Sequence, residues 1–340
     1  MNPEHVLVTG GSGFIAGHCI LQLLEQGYLV RATLRSLEKQ VAVRSVLNDA
    51  GMTRGDNLSF VAADLMGDKG WPEACAGMDF VLHLASPVKP GHVANEDEVI
   101  VPAREGTLRV LQAARDAGVK RVVLTSAFHA VSWGYPHGDH TFTENDWTVI
   151  DGPGVDAYAK SKTLAERAAW GFIAAEGGAL ELTTMLPVAV MGPVMGKDIS
   201  GANHIVQRML AGDMPGFPDL FIPIVDVRDV ASAHVLAITH PKAAGERFLL
   251  SNGRPLSMKQ IGTIIKAALG EKAGRVPRRS IPNFALRVVS LFNAELRPFI
   301  PDLGYAKKTS NEKARQILDW RSREAREAII AAAESMVGAV

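Results

Sequence analysis

A doubly wound α/β fold built on a parallel sheet is what this chain of 340 residues predicts, and three observations carry the prediction. Apolar runs of strand length alternate with helical patterns across residues 5–251, the order that gives a parallel sheet with helices on both faces. The first run passes through a cluster of glycines straight into an amphipathic stretch, so strand, tight turn and helix follow without a spacer. Past residue 187 glycine and proline interrupt the alternation, which sets a smaller C-terminal lobe apart from the sheet.

Residues 5–8 read as a buried strand and 14–26 as the helix behind it, with Thr9-Gly-Gly-Ser-Gly-Phe-Ile-Ala16 and Gly17 between and across them. Gly10 allows the sharp turn off the strand. Gly13 has no Cβ, so a pyrophosphate can approach the backbone, and Ala16 and Gly17 let the helix pack close to the sheet. The helix N-terminus then offers free N–H groups and a partial positive charge to phosphates. This unit predicts a dinucleotide site.

The second strand, 28–34, ends at Arg35. Sites selective for NAD carry an acidic residue about 20 residues past the glycine loop, on the ribose 2′-hydroxyl. Here no carboxylate follows until Glu38, and an arginine at that tip pairs with a 2′-phosphate, so NADP(H) is favoured. Arg31 and Lys39 are weaker candidates for the same phosphate. A third strand, 58–63, leads to Asp64 and Leu65 as flanks for the adenine. A fourth, 79–84, runs from Leu84 into Ala85-Ser86-Pro87, small enough for a cofactor to pass close to the backbone. A helix over 96–117 and a fifth strand over 120–125 follow. The next helix, 156–176, has Asp156 as its N-cap, and a sixth strand, 180–186, is closed by Pro187. Beyond it stand a helical segment over 204–211 outside the sheet, a helix beginning in 225–231 that returns to the core, and an edge strand over 247–251. Helical patterns over 257–269, 282–293 and 311–336, the last broken near Trp320, complete the chain.

Bulk composition excludes several classes. Hydrophobic residues make up 47% of the chain, enough for a sizeable core, and 36 basic residues balance 36 acidic ones. That balance gives no electrostatic case for nucleic acid or an anionic membrane. No apolar run reaches the roughly 18 residues a bilayer span needs. The first strand begins at residue 5, which leaves no room for a secretory leader, and Cys19 and Cys75 read as two reduced thiols, so a cytoplasmic protein, monomer or homodimer, is expected. A polar and aromatic loop over 133–154 holds His137 and His140. Without a cysteine or a glutamate-flanked helix, no metal site is expected there.

The chemistry is concentrated at Tyr158-Ala-Lys-Ser-Lys162. Tyrosine and lysine four apart share one helical face. Reduction of a carbonyl by a nicotinamide cofactor requires a proton for the oxygen that becomes an alcohol. Tyr158 is a suitable general acid if its pKa moves toward neutrality, and Lys162 one turn away would move it while holding the nicotinamide ribose. A hydroxyl at the end of the fifth strand, Thr125 or Ser126, would polarise the substrate oxygen.

On these residues the chain resembles an extended short-chain dehydrogenase/reductase, and more narrowly the branch that holds dihydroflavonol reductase, cinnamoyl-CoA reductase and microbial NADPH-dependent aldehyde and ketone reductases. The glycine loop, Arg31-Ala-Thr-Leu-Arg35, Ala63-Asp-Leu65, Val81-Leu-His-Leu-Ala-Ser-Pro87 and Gly106-Thr-Leu-Arg-Val-Leu111 carry the likeness. So do Tyr158-Ala-Lys-Ser-Lys-Thr-Leu-Ala-Glu-Arg-Ala-Ala-Trp170, residues 187–193 and 225–231, and the ending from Ser310 to Trp320. The resemblance implies a Rossmann domain of residues 1–186 plus 223–252, a substrate lobe of 187–222 plus 253–340, and NADP(H) as cofactor. It implies cofactor contacts at Gly10, Gly13, Phe14, Ile15, Arg35, Asp64, Leu65, Leu84, Ala85, Ser86, Thr125, Tyr158, Lys162, Pro187 and Val190.

One departure stands out. The family carries Thr-Ser-Ser at the fifth strand end and generally uses the second serine in catalysis; this chain has Thr125-Ser126-Ala127. Ser126 is favoured as the replacement donor if strand alternation is lost there, with Thr125 as alternate. Losing one such donor costs ~2.7–4 kcal/mol of transition-state stabilisation. The expected function is NADPH-dependent reduction of an aldehyde or ketone. The rivals are a sugar-nucleotide epimerase or dehydratase, which Arg35 opposes, and a non-catalytic NADP-sensing protein, which Ala127 favours.

Overall fold

The computed structural model describes residues 3–87 and 95–337. Seven strands form one parallel sheet: β1 (His5–Val8), β2 (Leu29–Leu34), β3 (Leu58–Ala62), β4 (Phe80–His83), β5 (Arg121–Thr125), β6 (Glu181–Pro187) and β7 (Arg247–Leu250). Their spatial order is β3-β2-β1-β4-β5-β6-β7, the Rossmann order, which reverses between β1 and β4. Register is continuous across that reversal, with Val6 opposite Val30 on one side and Phe80 on the other. The seventh strand is the edge strand expected at 247–251.

Both faces of the sheet are covered, which is why its strands read as unbroken apolar runs. Val6 and Val8 face one layer, where α1 (Phe14–Glu25) lies. Leu7 between them faces the other, with Leu111 and Ala114 of the helix Asp97–Asp116. A third apolar cluster lies off the sheet and joins Met191, Val206, Met209, Ile261 and Ile265 to Ala328 and Ile329.

The helices in order after α1 are α2 (Gln40–Asp49), α3 (Trp71–Cys75), α4 (Asp97–Asp116), α5 (Ala157–Glu176), α6 (Asn203–Ala211), α7 (Val227–Thr239), α8 (Met258–Leu269), α9 (Asn283–Phe292), α10 (Glu312–Leu318) and α11 (Ala325–Val337). Sequence patterns anticipate all of these except α2, whose only buried residue is Leu47, and the five-residue α3. Asp156 caps α5 as expected, its Oδ1 accepting from Ala159 N at 2.7 Å. The break near Trp320 has a local cause. Asp319 sits in the left-handed region at φ +48° and ends α10, and the Trp320 indole then donates to Asp229 O at 2.7 Å.

One polar group lies deep in this architecture. Glu166 of α5 is buried and accepts from Arg247 Nε on β7 and from Thr184 Oγ1 on β6, both at 2.8 Å. The Arg247 guanidinium lies 3.7 Å from the Trp147 ring centroid. Breaking a buried pair by removing one partner strands the other charge. Arg247→Ala is therefore expected to lower the unfolding free energy by about 3–5 kcal/mol, read from urea denaturation at an unchanged m value.

Candidate active site

The loop after β1 forms a cradle at the crevice where strand order reverses. Gly10 has φ +67°, and a Cβ there would stand 3.2 Å from Ala85. A Cβ at Gly11 would approach Ala32 Cβ to 2.7 Å, so the loop lies tight against β2 as well. Gly13 is the N-cap of α1 and supplies no side-chain cap, so the N–H groups of the first turn, at Phe14 and Ile15, face outward unclaimed. These features fit a pyrophosphate on the helix N-terminus. The packing expected of Gly17 differs in partner: a Cβ there would meet Met195 Sδ at 3.3 Å, so it is the loop after β6, not the sheet, that closes on α1.

The end of β4 is tied to this cradle through Thr9. Its hydroxyl accepts from Leu84 N at 3.0 Å and Ala85 N at 2.9 Å, so its own proton goes to His83 Nδ1 at 2.8 Å. That fixes His83 as the Nε2–H tautomer, and this nitrogen is buried with no partner among the described residues. Burial and the nearby Lys162 charge push the ring down to about 3, so it is neutral. Thr33 closes the other side, taking Gly10 N on its hydroxyl and Gly11 N on its carbonyl, both at 2.9 Å. Sequence reasoning missed Thr33 and His83; the hydroxyl of Thr9, one of two in the glycine motif with Ser12, is the signal that bears on them.

Tyr158 and Lys162 lie one turn apart near the start of α5. Lys162 Nζ donates to Ser86 Oγ at 3.1 Å and sits 5.9 Å from the Tyr158 ring centroid. Burial pushes Lys162 down to about 8, against the opposing pull of Glu166. In the site as folded, burial, reinforced by Asp156, pushes the Tyr158 phenol up to about 12.

The expected hydroxyl donors both have partners within the protein. Strand alternation is not lost at the end of β5. Ser126 N still pairs with Met185 O at 2.8 Å, and Ala127 is extended at φ −161°. Ser126 and Thr125 accordingly face opposite layers. Ser126 donates its single proton to Glu166 Oε2 at 2.7 Å. Thr125 Oγ1 lies 2.7 Å from His234 Nε2, and His234 Nδ1 must donate to Val230 O at 2.7 Å, so Nε2 is the acceptor and Thr125 the donor. In this structure both hydroxyl protons are directed at protein acceptors.

Among the remaining sequence candidates, Arg35 is exposed at the end of β2 with no ion pair among the described residues. Arg31 is spent elsewhere, its Nη1 donating to the carbonyls of Glu73, Ala74 and Ala76 at the end of α3. Asp64 Oδ1 accepts from Met66 N at 3.0 Å. The Leu65 side chain is buried against Gly106 of α4, which leaves backbone, not side chain, to face an adenine there. Pro187 ends β6 and is buried, with half-buried Val190 just beyond it. His137 stacks on Tyr305 at 4.0 Å, and His140 bonds Asp146 at 3.0 Å. Sequence reasoning missed His129, whose ring meets that of Tyr158 at 4.8 Å between centroids. Only its position two residues after Ala127 could have pointed to it.

A dinucleotide cradle at the strand-order reversal, with a tyrosine and lysine one helical turn apart beside it, defines a Rossmann-type redox site. The sequence profile of the NAD dependent epimerase/dehydratase family matches residues 6–250. The ketoreductase azaE of Aspergillus niger is 33% identical over 298 residues, covering 82% of this chain and 87% of its own. Cinnamoyl-CoA reductase 1 of Arabidopsis thaliana is 34% identical over 255 residues, 73% of this chain and 71% of its own. The structure of Gre2 from Candida albicans in complex with NADPH superposes with a TM-score of 0.81 at 28% identity, covering 99% of both chains. The chain belongs to the NAD dependent epimerase/dehydratase family, in its extended short-chain dehydrogenase/reductase branch. Among the described residues no helix is long and apolar enough to cross a membrane.

Because Thr9 Oγ1 holds two amides and an imidazole, Thr9→Val leaves all three unpaired. The expected cost is about 1–3 kcal/mol for each buried group stranded, measured by urea unfolding, with Thr9→Ser recovering most of it.

Proposed function

We propose that this NADP-dependent oxidoreductase reduces the carbonyl of an aldehyde or ketone, with Tyr158 as general acid and Lys162 as the cation beside it. The observation that carries the reading is the Tyr158–Lys162 pair, anchored to Ser86 at the end of β4, next to the open N-terminus of α1. The NADPH held by the Gre2 structure supports the cofactor, and the names of the ketoreductase and cinnamoyl-CoA reductase support the carbonyl.

The bound cofactor supplies a hydride to the carbonyl carbon. The chain's own residues do the rest. The first turn of α1 takes the pyrophosphate, and Arg35 takes the 2′-phosphate through a charge-assisted fork. Lys162, an ammonium at neutral pH, holds the nicotinamide ribose and stabilises the phenolate left when Tyr158 gives up its proton. Tyr158, pushed up to about 12 in the site as folded, is fully protonated at pH 7, the state a reductive proton donor needs. The cluster of α6, α8 and α11 outside the sheet supports a substrate lobe of residues 187–222 and 253–340, with residues 1–186 and 223–252 as the cofactor domain.

A second reading, an NADP-sensing protein with little catalysis, draws on the commitment of Ser126 and Thr125 to other partners. An epimerase acting on sugar nucleotides is opposed by Arg35, which stands where an acidic residue would select NAD.

The test is NADPH oxidation followed by absorbance with a panel of aldehydes and ketones. Tyr158→Phe is expected to leave NADPH binding nearly intact and reduce turnover by ~10²–10⁴, whereas Lys162→Ala weakens both. A Tyr158→Phe enzyme as active as wild type sinks the mechanism, and a wild type that binds NADPH without turnover on any carbonyl supports the sensing protein. Cofactor choice is tested separately by fluorescence titration. NADPH is expected to bind more tightly than NADH, and Arg35→Asp to reverse the order; equal wild-type affinities would refute the assignment.

A further inference from the structure

Carbonyl reduction needs a second hydrogen-bond donor on the substrate oxygen, because charge builds there before the proton has fully arrived. The end of β5 offers none. Ala127 has no hydroxyl, the Ser126 proton is on Glu166, and the Thr125 proton is on His234. The next polar side chain along the chain is His129, in the tight turn Phe128–Ala130 that packs against α5.

His129 is held on both sides and free at its nitrogens. One face stacks on Trp133, with centroids 3.9 Å apart and planes at 19°. The ring meets Tyr158 at 77° with centroids 4.8 Å apart. Thr148 pins the backbone of this arrangement, its hydroxyl donating to His129 O at 2.7 Å and accepting from Trp133 N at 3.1 Å. Among the described residues neither ring nitrogen has a hydrogen-bond partner, and the residue is half-buried, not sealed. Burial, with the ammonium groups of Lys307 and Lys162 nearby, pushes the imidazole down to about 3. It is therefore neutral at pH 7 and carries one N–H that no group among the described residues uses. A neutral imidazole held this way is a known kind of electrophile toward a carbonyl, since it polarises the oxygen without surrendering its proton.

We propose that the His129 imidazole is the hydrogen-bond donor to the substrate carbonyl oxygen beside Tyr158, filling the role that the strand end leaves open. The proposal rests on the carbonyl-reductase reading above. In the step it serves, a hydride from the reduced nicotinamide forms the new C–H bond at the carbonyl carbon, and the C=O π pair moves to oxygen. The Tyr158 O–H bond breaks and its proton joins that oxygen, which gives the alcohol, a phenolate that solvent reprotonates, and the oxidised cofactor. His129 keeps its proton throughout and stabilises the charge on oxygen while it is greatest. The rings of His129 and Tyr158 meet edge to face with centroids 4.8 Å apart, which sets the two side chains next to each other.

The experiment compares full-length wild type with His129→Phe, His129→Asn, His129→Gln and the double variant His129→Phe with Ala127→Ser. Steady-state NADPH oxidation over the carbonyl panel gives kcat and KM, and fluorescence titration gives NADPH affinity. His129→Phe keeps the stack on Trp133 and loses the N–H. It is expected to bind NADPH as wild type does, with kcat lower by ~10²-fold or more, the range for one missing oxyanion donor. The amides of Asn and Gln stand near Nδ1 and Nε2, and one of them is expected to restore part of the loss. Ala127→Ser is expected to restore turnover in the His129→Phe background by returning a hydroxyl to the strand end. His129→Leu serves the same comparison where the phenyl ring disturbs the stack. A His129→Phe enzyme with wild-type kcat overturns this proposal alone. So does a loss that neither amide nor Ala127→Ser repairs, since that is a packing effect. A wild type that turns over no carbonyl overturns the carbonyl-reductase reading and this proposal together.

Discussion

The approach of two strand ends across the reversal of strand order constrains nearly everything else in this molecule. Gly10 and Ala85 lie so close that a Cβ on the glycine would stand 3.2 Å from its neighbour, and the left-handed turn at φ +67° is open to glycine at little cost. Such an approach leaves backbone amides with no strand partner. Thr9 and Thr33 receive them: Leu84 N and Ala85 N on one hydroxyl, Gly10 N on the other. The crevice is thereby lined by small groups while its amides are satisfied from within. The N–H groups of the first turn of α1 are left as the open donors at its edge.

The second constraint is the carboxylate of Glu166. A buried charge without donors is strongly unfavourable, so the surrounding elements supply them: Arg247 from β7, Thr184 from β6 and Ser126 from the end of β5. This network binds α5, which carries Tyr158 and Lys162, to three strands of the sheet. It helps to fix the helix against which the cofactor would lie. It also consumes the Ser126 hydroxyl, so stability of the helix position and availability of a serine donor are in competition at this strand end. With alanine at 127, the competition is resolved in favour of structure.

Much of this was legible in sequence because it rests on local rules. Apolar runs with both faces buried gave the strands, and the spacing from Thr9 to Ala16 gave the cradle. Asp156 as N-cap follows from chemistry within a few residues. The misses are of another kind. Arg31 looked available for a phosphate, yet it caps α3, some forty residues away in the chain. Leu65 follows a strand end, but its side chain is drawn into the core by the absence of a side chain at Gly106. Ser126 and Thr125 were assigned from strand geometry, while their actual partners, Glu166 and His234, stand 40 and 109 residues further along. The helix α2 escaped notice since it buries little beyond Leu47 and so has a weak apolar pattern.

Burial also decides where positive charge resides in the cleft. His83, His129 and His234 are each pushed well below the usual imidazole range, to about 3, 3 and 4, with desolvation the leading cause in every case. All three are neutral at physiological pH, so each is both a donor and an acceptor. In His83 the acceptor nitrogen is taken by Thr9, and in His234 both nitrogens are taken, by Thr125 and Val230. Both rings therefore serve to hold strand ends in position. His129 differs because its contacts are made by its faces and edges, to Trp133 and Tyr158, and not by its nitrogens. The ammonium groups of Lys162 and Lys307 share the region, the former on Ser86 and the latter on Asp302 at 3.2 Å and over the Trp133 ring at 3.8 Å. Two cations so close to an imidazole favour its uncharged form and would in turn favour negative charge on an oxygen seated among them.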